Sequence, residues 1–164
     1  MKPRSVLILH GKGGSPEGSA KQLQACLEQQ LPELVGLITR PLLLHSDPAV
    51  LAEDSLTDLS SRNVPRGAML IGISLGGLIA ARLQESGRDD LQVICISSPT
   101  WADSVQLTRK MPNRISFYSS KDEVIAGRTH EWPRLASAHD LPWLSHDTDL
   151  HKEFLAQLIL KELR

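Results

Sequence analysis

The sequence Ala68-Met-Leu-Ile-Gly-Ile-Ser-Leu-Gly-Gly77 combines three signals of local structure. Residues 68–73 form a nearly continuous apolar run, which is typical of a strand buried on both faces. The run ends in a Gly-x-Ser-x-Gly pattern, and the apolar residues of 78–83 predict a helix after it. We therefore predict a strand, a tight turn that carries Ser74 at its tip, and a helix. Gly72 and Gly76 remove the Cβ atoms that would collide in such a turn.

The bulk properties of the chain favour one domain and exclude several classes of protein. At 164 residues the chain can bury most of its apolar surface in a single domain over 1–164. Its net charge of −1 and scattered basic residues exclude a nucleic-acid-binding surface. The apolar run after the N-terminus is too short for a signal peptide or a membrane span, so we expect no membrane partner and a cytoplasmic location. Cys26 and Cys95 lie in apolar segments and are expected to be buried, reduced thiols, and no metal-ligand spacing occurs.

Short apolar runs predict six strands, at 5–9, 37–44, 68–73, 91–96, 114–119 and 141–144. Pro41 favours a place near the sheet edge for the second of them. A first helix is predicted with Ser15 as its N-cap and Pro16 at its first position. Further helices are predicted over 47–62, up to Gly87, through 125–136 and over 150–163. In the second and last helices, the side chains expected to face the core are Val50, Leu51, Leu56, Leu59, Phe154, Leu155, Leu158, Ile159 and Leu163.

Strands that alternate with helices over short connections predict a parallel sheet covered by helices on both faces. No insertion is long enough to form a lid domain. Ligands bind at the carboxyl edge of such a sheet, where the loops after the strands meet. Those loops contain residues 11–14, Ser74, residues 99–101, Asp122 and His146.

The residues at this edge include a nucleophile, an acid and a base. A serine hydroxyl is a weak nucleophile at neutral pH, so an imidazole must accept its proton, and a buried carboxylate must orient that imidazole. Ser74 is the predicted nucleophile, Asp122 the carboxylate and His146 the base. Asp103 remains an alternative carboxylate, and His151 remains an alternative base.

An attacked carbonyl also requires two donors for its oxyanion. The backbone N–H of Leu75, at the start of the helix, is one expected donor. The loop after the first strand supplies the other, the N–H of Lys12, with Gly11 beside the substrate and His10 ordering the loop. Neither a dinucleotide fingerprint nor a P-loop fits this segment, because Pro16 and Gly13 stand where those motifs require other residues.

Four segments of the chain resemble motifs of the α/β-hydrolase superfamily: Leu9-His-Gly-Lys-Gly-Gly-Ser-Pro-Glu17, Gly72-Ile-Ser-Leu-Gly-Gly77, Ser120-Lys-Asp-Glu123 and Ser145-His-Asp147. The resemblance extends over essentially the whole chain. It is closest to the small, lidless serine esterases, among them the retinoblastoma-binding serine hydrolases. It implies a compact three-layer α/β sandwich and cofactor-free hydrolysis of carboxylic esters through an acyl-enzyme. The chain departs from the family in Pro142 and in lacking the glycine often found before the histidine.

The resulting hypothesis is a serine hydrolase acting on small, soluble esters, with Trp101 expected to wall the acyl pocket. A thioesterase or peptidase of the same fold remains open, because specificity depends on the shape of the pocket. A protein that keeps this fold but only binds a ligand or partner is the alternative outside catalysis. The sequence does not indicate an oligomeric state.

Overall fold

The computed structural model describes residues 5–12, 17–30, 38–42, 51–125 and 127–163, with the backbone alone for 38–42 and 163. Six strands form one sheet: β1 (Ser5–Leu9), β2 (Ile38–Leu42), β3 (Met69–Ile73), β4 (Gln92–Ile96), β7 (Arg114–Tyr118) and β8 (Ser137–Asp140). The order is β2-β1-β3-β4-β7-β8, and every neighbouring pair is parallel. A separate antiparallel hairpin consists of β5 (Trp101–Ala102) and β6 (Val105–Gln106). The sequence-based expectation of a six-stranded parallel sheet is confirmed.

Four α-helices cover the two faces of the sheet: α1 (Ser19–Gln30), α2 (Ala52–Ser61), α3 (Leu75–Glu85) and α4 (Lys152–Leu163). Helices α1 and α4 pack together on one face, and α2 and α3 pack together on the other. Alternate residues of a strand point to opposite faces. Leu70 of β3 accordingly lies in the cluster with α2 and α3, and Ile71 lies in the cluster with α1 and α4.

The two cysteines lie in these separate clusters and are both free and buried. Burial raises the pKa of the Cys95 thiol to about 12 and also raises the pKa of Cys26. Both groups therefore stay protonated at neutral pH, which makes them poor nucleophiles. None of the helices in the described part of the chain is long and apolar enough to span a membrane.

Several predicted boundaries are wrong. The sixth strand is Ser137–Asp140, and residues 141–144 form a turn in which the Leu144 N–H donates to the Leu141 carbonyl at 2.9 Å. The helix predicted through 125–136 is only a 3₁₀ helix, Thr129–Arg134. Gly127 before it has a φ of +98°, and Pro133 inside it has no N–H to continue a helical ladder.

Two side chains predicted to face the core are exposed instead: Leu51 is 44% exposed and Phe154 is 54% exposed. The second and last α-helices begin later than predicted, at Ala52 and Lys152, and a 3₁₀ helix (Thr148–His151) precedes the last one. The predictions on Ser15, Pro16, Val50 and the side chains of Pro41 and Leu163 lie outside the described residues. The placement of β2 at the sheet edge is as predicted. The single domain over 1–164 stays a prediction.

A fully buried arginine joins β7 to the end of α3. The Arg114 guanidinium donates from Nη2 to Glu85 Oε2 at 3.2 Å and to the Ala81 carbonyl at 3.1 Å. Its Nε donates to the Gln84 side chain, and its Nη1 donates to two further carbonyls. Burial lowers the pKa of Arg114, and each of its five N–H groups has an acceptor. This network lies at the opposite end of β7 from Asp122 and holds the sheet to α3.

Replacing Arg114 with methionine is expected to destabilise the fold by about 3–5 kcal/mol, because the Glu85 carboxylate would remain buried without its cation. Urea unfolding followed by circular dichroism measures this change. The control is Arg62→Ala, directly after α2, where a surface ion pair with Asp58 contributes about 0–1 kcal/mol. Equal unfolding midpoints for Arg114→Met and wild type would contradict the structural role of the pair.

Candidate active site

The turn between β3 and α3 places Ser74 in a strained backbone conformation. Its φ is +53° and its ψ is −123°, a combination that residues other than glycine rarely adopt. The Ser74 N–H donates to the Ile96 carbonyl at 2.8 Å, and the Ser74 carbonyl accepts the Gly77 N–H at 3.0 Å. A Cβ atom on Gly76 would lie 2.6 Å from the carbonyl oxygens of Leu9 and His10, and one on Gly72 would overlap the backbone of Gly77. The glycines therefore let the turn pack against β1 and close on itself.

The structure brings three of the predicted side chains into one hydrogen-bonded chain. Ser74 Oγ lies 3.1 Å from His146 Nε2, and His146 Nδ1 lies 2.8 Å from Asp122 Oδ2. The carboxylate can only accept, so His146 carries its proton on Nδ1 and presents the Nε2 lone pair to the serine. In this tautomer the imidazole can remove a proton from Ser74.

Asp122 is held in the turn that follows β7. Its side chain is 1% exposed, and its second oxygen, Oδ1, accepts the Val124 N–H at 2.9 Å. The Asp122 N–H donates in turn to the Ser119 carbonyl at 3.1 Å. Asp122 thus caps a turn while its other oxygen faces His146, although the helix expected after it does not form.

Asp103 and His151, the alternative carboxylate and the alternative base, form hydrogen bonds with other residues. Asp103 Oδ2 accepts the Ala52 N–H at 2.7 Å and thereby caps the start of α2. His151 Nε2 accepts the Ser145 N–H at 3.3 Å. The structure therefore brings Asp122 and His146, rather than Asp103 and His151, to Ser74.

The loop after β1 borders Ser74 on the other side. A Cβ atom on Gly11 would lie 3.2 Å from Ser74 Cβ, so this position is adjacent to the serine. The buried His10 donates from Nδ1 to the Gly11 carbonyl at 2.7 Å. Because a trans peptide points its C=O and N–H in opposite directions, this bond turns the Lys12 N–H away from the His10 ring. The Leu75 N–H belongs to the first turn of α3 and has no carbonyl of its own helix to bond.

A cleft of about 500 Å³ opens above these groups. The described residues that line it are His10, Gly11, Lys12, Gly18, Ser19, Ile73, Ser74, Val124, His146, Asp147, Thr148 and Asp149. Apart from the glycines, Ile73 and Val124 are the only described residues of this lining with apolar side chains. The sequence does not predict that the start of α1 and the residues around Thr148 line this cleft, because nothing in their sequence distinguishes them from ordinary surface loops.

Trp101, the expected wall of the acyl pocket, is absent from the described lining of this cleft. It lies in the hairpin, where the residue is 45% exposed and its ring stacks against the Arg128 guanidinium, whose Cζ lies 4.5 Å from the ring centroid. Its role in substrate binding is therefore not supported by the geometry. Within the described residues, no three His, Cys, Asp or Glu side chains are grouped so that they could hold a metal ion.

The sequence model of the uncharacterised protein family UPF0227 matches residues 5–131. The chain belongs to this family. The match includes Ser74 and Asp122 and ends before His146. A search of curated proteins found no match.

Several solved structures that share this fold are described as α/β-hydrolases or α/β serine hydrolases. The α/β-hydrolase domain-containing protein 10 from mouse is 12% identical, with a TM-score of 0.73 over 97% of this chain and 89% of that one. A serine hydrolase homologue from Coxiella burnetii is 18% identical, with a TM-score of 0.70 over 100% and 89% of the two chains. A lidless serine hydrolase from Xanthomonas campestris is 15% identical, with a TM-score of 0.67 over 97% and 81%. The fold of the chain is therefore that of the α/β-hydrolase superfamily.

Proposed function

We propose that this protein is a serine hydrolase that cleaves small, soluble carboxylic esters through an acyl-enzyme on Ser74. The observation that carries the proposal is the hydrogen-bonded chain from Ser74 Oγ through His146 to the buried Asp122, with distances of 3.1 Å and 2.8 Å. The strained turn adds support, since it presents the serine away from the backbone at the start of a helix.

The reaction begins when Ser74 Oγ attacks the ester carbonyl carbon and its proton passes to His146 Nε2. Asp122 stabilises the imidazolium that forms. The carbonyl oxygen becomes an oxyanion, which the N–H groups of Lys12 and Leu75 stabilise. His10 supports this arrangement by holding the Gly11 carbonyl on the opposite side of the same peptide.

The tetrahedral intermediate collapses when the bond to the alcohol oxygen breaks and His146 gives its proton to that oxygen. A water molecule then attacks the acyl-enzyme, again with His146 as the base, and the acid leaves as Ser74 recovers its proton. This scheme uses only side chains and amides of the chain together with water.

The size and lining of the cleft favour small substrates over bulky lipids. Among the described residues that line it, apolar side chains come only from Ile73 and Val124, and its volume of about 500 Å³ lies in the lower half of the range for ligand sites, which is roughly 300–1,000 Å³. The similar hydrolase from Xanthomonas campestris is described as lidless. We therefore expect short acyl chains, such as acetyl, to react faster than long ones.

The test is labelling with a biotinylated fluorophosphonate, which reacts only with an activated serine, followed by peptide mapping. We expect a single modified site at Ser74 in native protein and none after heat denaturation. Parallel assays with p-nitrophenyl acetate and acetylthiocholine compare oxygen esters with thioesters. Folded protein that neither labels nor hydrolyses either substrate would instead favour a ligand-binding role for this fold.

A further inference from the structure

His151 makes contacts that the proposed reaction does not use. It ends the 3₁₀ helix Thr148–His151, five residues after the proposed base. Its Nε2 accepts the Ser145 N–H at 3.3 Å and lies 3.2 Å from Ser145 Oγ. The imidazole therefore bonds the residue that immediately precedes His146.

Hydrogen bonds hold the segment that carries His146 on both sides of this residue. Ser145 is held by His151, and Ser145 Oγ also lies 3.2 Å from the Asp147 carbonyl. Asp147 Oδ1 accepts the Asp149 N–H at 3.2 Å, which closes the turn after His146. Of these hydrogen bonds, the one from the Ser145 N–H to His151 Nε2 is the one that fixes the backbone on the N-terminal side of the base.

The His151 ring is itself oriented by an aromatic contact. Its centroid lies 5.1 Å from that of Trp143, with an interplanar angle of 66°. Trp143 in turn makes an edge contact with Phe154 of α4, with centroids 4.9 Å apart. These contacts hold the half-buried imidazole with Nε2 toward Ser145, although Phe154 itself is exposed.

We propose that His151 is a positioning residue for His146: its unprotonated Nε2 anchors Ser145 and so keeps the His146 ring aligned between Ser74 and Asp122. The proposal rests on the function proposed above. It requires an acceptor at Nε2, because a backbone N–H can only donate. Displacement of a reacting group by about 1 Å can lower a rate by about 100-fold, so an anchor outside the reacting atoms can control turnover.

The experiment compares His151→Leu, which removes the acceptor, with His151→Gln, whose side-chain oxygen can take the place of Nε2. We expect His151→Leu to lower kcat by roughly 10- to 100-fold with KM unchanged, and His151→Gln to recover most of that loss. Ser145→Ala, which keeps the backbone N–H, is expected to lose less than His151→Leu. The matched control is His130→Leu, an exposed histidine of the other 3₁₀ helix, which is expected to leave kcat unchanged.

A second readout does not depend on activity. In ¹⁵N-histidine NMR spectra, the Nδ1–H signal of His146 reports its hydrogen bond to Asp122. We expect this signal to weaken or move in His151→Leu and to return in His151→Gln. Unchanged kcat and an unchanged His146 signal in His151→Leu would overturn the proposal, as would a glutamine variant as impaired as the leucine variant. If wild type shows no hydrolysis, the proposed function fails, and the NMR comparison still decides whether His151 orders His146.

Discussion

Replacing Ser74 with alanine is expected to lower kcat for p-nitrophenyl acetate by about 10⁶-fold, the scale seen when the nucleophile of such a triad is removed. The hydroxyl oxygen that lies 3.1 Å from His146 Nε2 is the atom that would form the acyl bond. No neighbouring group in the proposed scheme can take its place. Initial rates over a range of substrate concentrations, with the rate of spontaneous hydrolysis subtracted, measure the effect.

The fold should survive this substitution, because alanine has the same Cβ as serine at a φ of +53° and removes only the hydroxyl. Ser120→Ala is the matched control: this exposed serine follows β7, and its backbone N–H, which bonds Asp140, is retained. The double variant Ser74→Ala with His146→Ala should be no slower than Ser74→Ala alone, since the two groups act as a unit. Turnover within tenfold of wild type in purified Ser74→Ala would rule out the proposed nucleophile.

The strand, turn and helix around Ser74 could be predicted because their determinants are local. A buried parallel strand requires a continuous apolar run, and the turn requires small residues at Gly72 and Gly76. At Gly76 the reason is a contact with the end of β1, since a Cβ there would collide with the carbonyls of Leu9 and His10, whereas a Cβ at Gly72 would collide with Gly77. The glycine at position 76 could be recognised from the local pattern, but the distant segment that requires it could not.

The sixth strand was placed too late for a physical reason. Strand β8 is an edge strand with one neighbour, and its sequence Ser-Ala-His-Asp is mostly exposed, so it lacks the apolar signal of the central strands. That signal lies instead in the following turn, where Leu144 is buried although it is not in a strand. The error did not affect the placement of His146, since both the predicted and the observed strand end shortly before it.

The exposure of Phe154 and Trp101 depends on contacts between distant segments. Phe154 fits an apolar helical pattern, yet α4 packs on α1 through neighbouring residues such as Leu155 and Ile159, and Phe154 turns to Trp143. Trp101 follows β4 at the carboxyl edge, but it belongs to the short hairpin of β5 and β6, and its ring packs against the Arg128 guanidinium instead of lining the cleft. Trp143 and Arg128 are too far along the chain from Phe154 and Trp101 for a periodic sequence pattern to indicate these contacts.

The sequence favours Asp122 as the carboxylate but leaves Asp103 open, since both follow strands at the same sheet edge. Asp103→Ala is expected to destabilise the protein by about 2 kcal/mol, because it removes the cap on the Ala52 N–H and places alanine at a φ of +54°, while kcat stays near the wild-type value. It therefore serves as the matched control for a substitution at Asp122.

Asp122→Asn is expected to lower kcat by about 10⁴-fold, because the asparagine would impose the wrong tautomer on His146. The Val124 N–H, which donates to Asp122 Oδ1 at 2.9 Å, accepts no hydrogen bond and so selects the amide oxygen of the asparagine. The amide NH₂ then faces His146 Nδ1, where the carboxylate oxygen lay at 2.8 Å. His146 must accept at Nδ1 and hold its proton on Nε2, where it can no longer remove the proton of Ser74.

This tautomer change can be observed separately from the rate. The ¹⁵N-histidine spectrum of Asp122→Asn should show the His146 proton on Nε2, whereas wild type should show it on Nδ1. Fluorophosphonate labelling should slow in parallel with kcat. If Asp122→Asn keeps its activity while Asp103→Ala loses it, the carboxylate has been assigned to the wrong loop. If the spectrum changes and the rate does not, His146 is not the base, because the group that accepts the Ser74 proton must have its Nε2 lone pair available.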